Sequence, residues 1–123
     1  MTKALFYINA VLTFPFGVAA LAAPAAVFAQ FGVRLDAAGQ LIARGYAATL
    51  LGYGLVLFLM RSTTDRPTAA AFLLSMVVFN TVEAVIQGVA GVQAVAAPII
   101  FGNVALHGVV ALACLVAWRK NSV

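Results

Sequence analysis

The stretch that decides the fold is PTAAAFLLSMVVFNTVEAVIQGVAGVQAVAAPIIFGNVALHGVVALACLVAW, residues 67–118, in which Glu83 is the single charged side chain when His107 is neutral. Segments 69–74 and 109–116 within it are apolar on every side of a helix, whereas a soluble helix alternates apolar and polar positions with a period of about 3.6 residues. Helices of that kind face lipid. Outward from this stretch, residues 4–33 and 45–60 are also free of charge, and the 123 residues together carry only seven Lys or Arg and three Asp or Glu. With 65% apolar residues and a mean hydropathy of +1.11, too few polar groups remain to cover a soluble domain of this length. The reading is an all-α, polytopic integral membrane protein of one domain.

Four spans are expected, at about 4–29, 40–60, 67–89 and 97–118. The first carries Pro15 and Pro24, and its apolar run is roughly twice the 7 to 15 residues of a secretory signal core, so it reads as a retained helix. Residues 30–39 form a connector that holds Arg34 and Asp36 at a water interface. The polar turn 61–66 precedes Pro67, which suits a first helical turn, and Ser62, Thr63, Thr64 or Asp65 can cap the third span. Gly88, Gly91, Gln93 and Pro98 mark a short uncharged connection before the fourth.

Orientation follows from the basic residues. Lys3, Arg61, Arg66, Arg119 and Lys120 share one side, and only Arg34 lies clearly on the other. The positive-inside rule makes the shared side cytoplasmic, which gives an antiparallel four-helix bundle with both termini inside and Trp118 as an interfacial anchor. The formal charge of +4 therefore reads as a topology signal, with attraction to anionic headgroups, and not as a nucleic-acid footprint. Cys114 is a lone cysteine suited to apolar filling, and no Cys or His spacing resembles a metal motif. One histidine is too few for a bis-His haem within one chain, and no haem attachment motif is present.

Small residues mark where helices approach. Gly45, Ala48, Thr49 and Gly52 form a packing face on the second span, with Gly17 and Ala20 on the first and Gly88 and Gly91 on the third as lesser ones. Phe14, Phe16, Phe28, Phe31, Tyr46 and Tyr53 read as packing and interface anchors.

Polar residues within the spans carry the chemical information, because a charge at mid-membrane costs about 2.5 to 3.5 kcal/mol and polar groups there face the bundle interior. Asn80, Glu83 and Gln87 form one stripe, Asn103, His107 and Cys114 a second, and Asn9, Thr13 and Gly17 a third. At about 1.5 Å per residue, Arg44 lies about four residues below the outer end of its span and Glu83 about six below its own. Asn103 falls at that level and His107 about one turn deeper, with Gln87 above and Asn80 below. Arg44, Glu83, Asn103, His107, Asn80 and Gln87 are therefore the candidate ligand-binding residues of a polar cavity in the outer half. Matched depth allows Arg44 to pair with Glu83, although its long stem also permits snorkelling to the headgroups. A sole histidine such as His107 is more often an interior hydrogen-bonding residue than a ligand.

The segment LIARGYAATLLGYGL, residues 41–55, followed by the charged turn RSTTDR, residues 61–66, resembles the small four-helix DoxX-like families of bacterial membrane proteins. The likeness covers most of the chain. It implies an antiparallel four-helix bundle in the bacterial inner membrane, and a loose association of some relatives with membrane redox systems, but it transfers no catalytic residue. Small multidrug transporters are similar in length and span count, yet their essential carboxylate lies in the first helix, where this chain has none. The expected function is binding of a lipophilic small molecule in the outer cavity or support of a membrane partner, with surrounding lipid as the other contact. Two alternatives remain open, an enzyme or proton-coupled transporter using Glu83, His107 and Arg44, or an accessory subunit of a larger membrane complex; a homo-oligomer or a membrane complex is the candidate protein partner. No cofactor is indicated by the residues.

Overall fold

In the computed structural model, which describes residues 1–122, the chain forms five helices. They are α1 (Thr2–Ala22), α2 (Pro24–Ala29), α3 (Ala37–Met60), α4 (Arg66–Val92) and α5 (Ile100–Asn121). Four of them, α1, α3, α4 and α5, are long and apolar enough to cross a membrane. Exposed apolar side chains such as Ile8, Val18, Leu41, Ile42, Val85, Ile86, Val109 and Leu112 cover the outside of all four. A surface of that kind is stable against hydrocarbon and not against water.

The helix boundaries have local causes. Asp36 accepts a hydrogen bond from the Gly39 backbone N–H at 2.7 Å and starts α3, and Asp65 accepts from the Thr68 N–H at 2.9 Å and starts α4. Of the four residues able to cap α4, Asp65 does so, and the bonds from Thr68 hold its carboxyl below the usual carboxylate range. Arg119 and Lys120 lie in the last turn of α5, where cations complement the helix dipole.

One expected span is divided. The run 4–29 is not a single helix, because Ala23 leaves the helical region at φ −138° and ψ 64° and Pro24 opens the short α2. The proline has no N–H to continue the ladder, and its ring disfavours helical geometry at the residue before it. Pro15 is accommodated inside α1. The fourth long helix also begins later than expected, after the hydrogen-bonded turns Ala97–Ile100 and Pro98–Phe101.

The helices pack chiefly as two pairs, α1 with α3 and α4 with α5. In the first pair a Cβ on Gly17 would lie 3.1 Å from the Ala47 carbonyl oxygen, and one on Gly54 would lie 2.8 Å from Thr13 Oγ1. The buried face of α3 is Ala43, Ala47, Leu50, Gly54 and Leu57. This corrects the face expected from small residues, since Gly45 and Gly52 have open space beside them and Ala48 and Thr49 are exposed. The contact follows Ala43, Leu50 and Leu57 at seven-residue spacing, with Ala47 and Gly54 between them, and not the row of Gly45 and Gly52. In the second pair Gly91 packs under Phe101 and Ile100, while Gly88 faces open space.

The pairs meet at one end of the molecule through Phe6, Leu57, Leu73, Met76 and Cys114, all fully buried. At that same end Asn121 Nδ2 donates to Thr2 Oγ1 at 3.2 Å, linking α5 to α1. At the opposite end the connector after α2 crosses to the connector before α5, where Ala97 N–H donates to the Phe31 carbonyl at 2.7 Å. Gly32 sits in this crossing at φ +74°, and a Cβ there would approach Ala97 Cβ to 2.9 Å. A residue with a side chain would meet both conformational strain and a clash.

Candidate ligand-binding cavity

Between the closed end and the Phe31–Ala97 crossing the two pairs stand apart around a cavity of about 720 Å³. Its wall is mostly apolar and includes Leu12, Leu50, Leu106 and Val110, and the aromatic rings of Phe16, Phe28 and Phe31 line it too. The break at Ala23 makes this aromatic group, because it lets α2 turn until Phe28 meets Phe16 edge-on at 6.4 Å between centroids. A large, largely apolar hollow with a few converging polar groups is the usual form of a small-molecule site.

Two hydrogen-bonded chains supply the polar groups. In the first, the Tyr46 hydroxyl donates to Glu83 Oε1 at 2.8 Å and Gln87 Nε2 donates to Glu83 Oε2 at 2.9 Å. Asn103 Nδ2 in turn donates to Gln87 Oε1 at 2.8 Å. In the second, Asn80 Nδ2 donates to the Met76 carbonyl at 2.8 Å and to Asn9 Oδ1 at 3.3 Å, and Asn80 Oδ1 lies 2.8 Å from His107 Nδ1. Asn9 Nδ2 donates to the Leu5 carbonyl and Thr13 Oγ1 to the Asn9 carbonyl, so α1 retains its own polar groups.

The second chain fixes the histidine. Asn80 and Asn9 are 3% and 2% exposed, and the Met76 carbonyl requires a donor, which orients the Asn80 amide with its oxygen toward His107. The neutral ring therefore carries its proton on Nδ1 and presents the lone pair of Nε2. Phe79 sets the plane of the imidazole by an edge contact at 6.3 Å, and Tyr53 stacks on the far side of Phe79 at 4.8 Å.

Five of the six candidate residues from the sequence, Asn80, Glu83, Gln87, Asn103 and His107, line this one cavity. Arg44 does not. It is exposed, and its Nε donates to the Leu21 carbonyl at 3.3 Å. The Arg44–Glu83 pairing allowed by matched depth is thus not formed, because the carboxylate is held by Tyr46 and Gln87 and the guanidinium lies on the outer face of the α1/α3 pair. The register between α4 and α5 also differs from the depth argument: Asn103 meets Gln87 and not Glu83, while His107 meets Asn80. Cys114, on the same stripe as His107, belongs to the dry core.

Tyr46, Asn9 and Thr13 are polar cavity residues that the candidate set lacks, and of these Tyr46 bonds directly to Glu83. The spacing of Tyr46, three from Ala43 and four from Leu50, places it beside the buried face of α3, a signal available in sequence but masked by the habit of tyrosine at membrane interfaces. Asn9 and Thr13 were legible as an inward stripe, and both line the cavity. Among the described residues no three His, Cys, Asp or Glu side chains come together as a metal site would need. No family model matches the chain, and no curated protein or solved structure matches it.

Proposed function

We propose that the protein is an inner-membrane binding protein whose cavity receives a lipophilic small molecule. The observation that carries this reading is the coexistence, in one hollow of about 720 Å³, of a mostly apolar wall and five hydrogen-bonding side chains from α4 and α5. Held open at this size, the hollow matches a drug-sized ligand and not a single water. The crowding of basic residues at 3, 61, 66, 119 and 120 supports an antiparallel arrangement with both termini and the 61–66 turn cytoplasmic. The DoxX-like resemblance of residues 41–55 supports a bacterial membrane as the setting. The ligand side would then be the outer half of the bilayer.

Filling the cavity tests the reading. Ala90 lines it on α4, and Ala90→Phe is expected to leave a folded, monodisperse protein while removing lipophile that copurifies with the wild type, as detected by mass spectrometry of the extracted protein. Equal recovery from wild type and variant would mean that the copurified molecules sit on the outer surface and that the hollow is not a binding site.

A further inference from the structure

The geometry points to the class of ligand: we infer that the cavity selects a lipophilic organic cation with N–H donors, an alkylammonium or a similar amine, with Glu83 as its counter-ion. This inference rests on the binding function proposed above and adds the polarity of the ligand's head.

The direction of the hydrogen bonds is the first reason. Asn103 donates to Gln87, Gln87 donates to one oxygen of Glu83, and Tyr46 donates to the other. Two of these bonds end on the Glu83 carboxyl group, one on each oxygen, and the third orients the Gln87 amide that makes one of them. Charge-assisted bonds of this kind orient a carboxylate but do not neutralise it. Among the described residues no Lys or Arg pairs with it, since Arg44 is turned to the Leu21 carbonyl and the other basic side chains, at 3, 34, 61, 66, 119 and 120, lie outside the charge-free spans. An unpaired carboxylate in an apolar wall is costly, and a cationic occupant removes that cost where a neutral one does not.

The second reason is the balance of donors and acceptors facing the hollow. The hydroxyl hydrogens of Tyr46 and Thr13 are used within the protein, and the ring proton of His107 is used by Asn80. What His107 offers an occupant is the Nε2 lone pair. Glu83 offers its remaining lone pairs and Asn103 its carbonyl oxygen. A head group with two or three N–H donors satisfies this wall, whereas an anionic or acceptor-only head meets repulsion from Glu83 and finds only amide hydrogens of Gln87 and Asn103. The aromatic rings of Phe16, Phe28 and Phe31 contribute faces compatible with a cation and an alkyl chain alike.

Three probes with the same chain separate head from tail: dodecylammonium, 1-dodecanol and dodecanesulfonate. Saturable binding is measured to the full-length protein in nanodiscs of zwitterionic lipid, against empty nanodiscs. Dodecylammonium is expected to bind about tenfold or more tighter than 1-dodecanol, which corresponds to at least about 1.4 kcal/mol, and dodecanesulfonate is expected not to bind. Glu83→Gln should reduce dodecylammonium to the affinity of 1-dodecanol while leaving the alcohol unchanged. Equal affinity of wild-type protein for ammonium and alcohol, or preference for the sulfonate, would overturn the cation assignment and leave the cavity as a binding site for another class. Absence of saturable binding for all three would overturn both. The wild-type ranking decides the matter even where Glu83→Gln does not fold.

Discussion

The same four helices make two unlike halves. At the end near Thr2 and Asn121 they close on Phe6, Leu57, Leu73, Met76 and Cys114, all fully buried, whereas beyond Asn80 they part around about 720 Å³. The difference lies in what each helix presents to its opposite pair. The closed half offers flexible or branched apolar side chains that interlock, and dispersion contacts then favour the closest approach. The open half offers amides, a carboxylate, a phenol and an imidazole, whose bonds are directional and span a fixed distance. Asn80 stands at the boundary and belongs to both halves, donating to the Met76 carbonyl of the core and accepting from His107 of the cavity. A polar network can therefore act as a spacer as well as a fastening.

Truncation of leucines on either side of the boundary gives the largest expected contrast. Leu73→Ala removes a fully buried side chain and should cost about 2 to 5 kcal/mol. Leu106→Ala changes a side chain that lines the cavity and is 42% exposed, and it should cost much less because no new void is sealed. Unfolding in mild detergent, followed by circular dichroism, measures both. Similar losses would mean that the cavity half is as tightly packed as the closed half.

An intermediate effect is expected at the boundary itself. Asn80→Leu leaves Asn9 Oδ1 and His107 Nδ1 without their partner, and an unsatisfied buried polar group costs about 1 to 3 kcal/mol. The readout that distinguishes a spacer from a simple fastening is the imidazole: nitrogen-15 chemical shifts of His107 should show a single Nδ1–H tautomer in the wild type and a mixture in Asn80→Leu. A single unchanged tautomer in both would show that Asn80 does not orient the ring.

The smallest effect concerns Arg44. Because its guanidinium and the Glu83 carboxylate have separate partners, Arg44→Gln and Glu83→Gln should be additive within about 0.5 kcal/mol in a double-mutant cycle. A coupling of several kcal/mol would restore the ion pair and place Arg44 in the site.

The parts of this architecture that depend on composition were legible in the sequence, and those that depend on geometry between distant segments were not. Charges such as Arg61, Asp65 and Arg66 punctuate the apolar runs, so the second and third spans fell close to α3 and α4. The inward stripes of Asn80, Glu83 and Gln87, and of Asn103 and His107, followed from helical spacing alone. Pro24 was visible, yet proline also occurs within membrane helices, as Pro15 does here, so the residue type alone did not say which of the two would break the helix. The face of α3 was misjudged because glycine and alanine are common on every side of that helix, leaving Leu50 and Leu57 as the better guides. Arg44 had two ways to satisfy its charge, and depth could not discriminate between them.

The hydrogen bond from Ala97 to the Phe31 carbonyl has a mechanical meaning. The α1/α3 and α4/α5 pairs are tied covalently at one end by the 61–66 turn and by backbone at the other, so they form a frame pinned at both ends. Such a frame cannot scissor at the end of the crossing without breaking the contact that Gly32 makes room for. The crossing and the 61–66 turn thus stand as the two pins between which the hollow is framed.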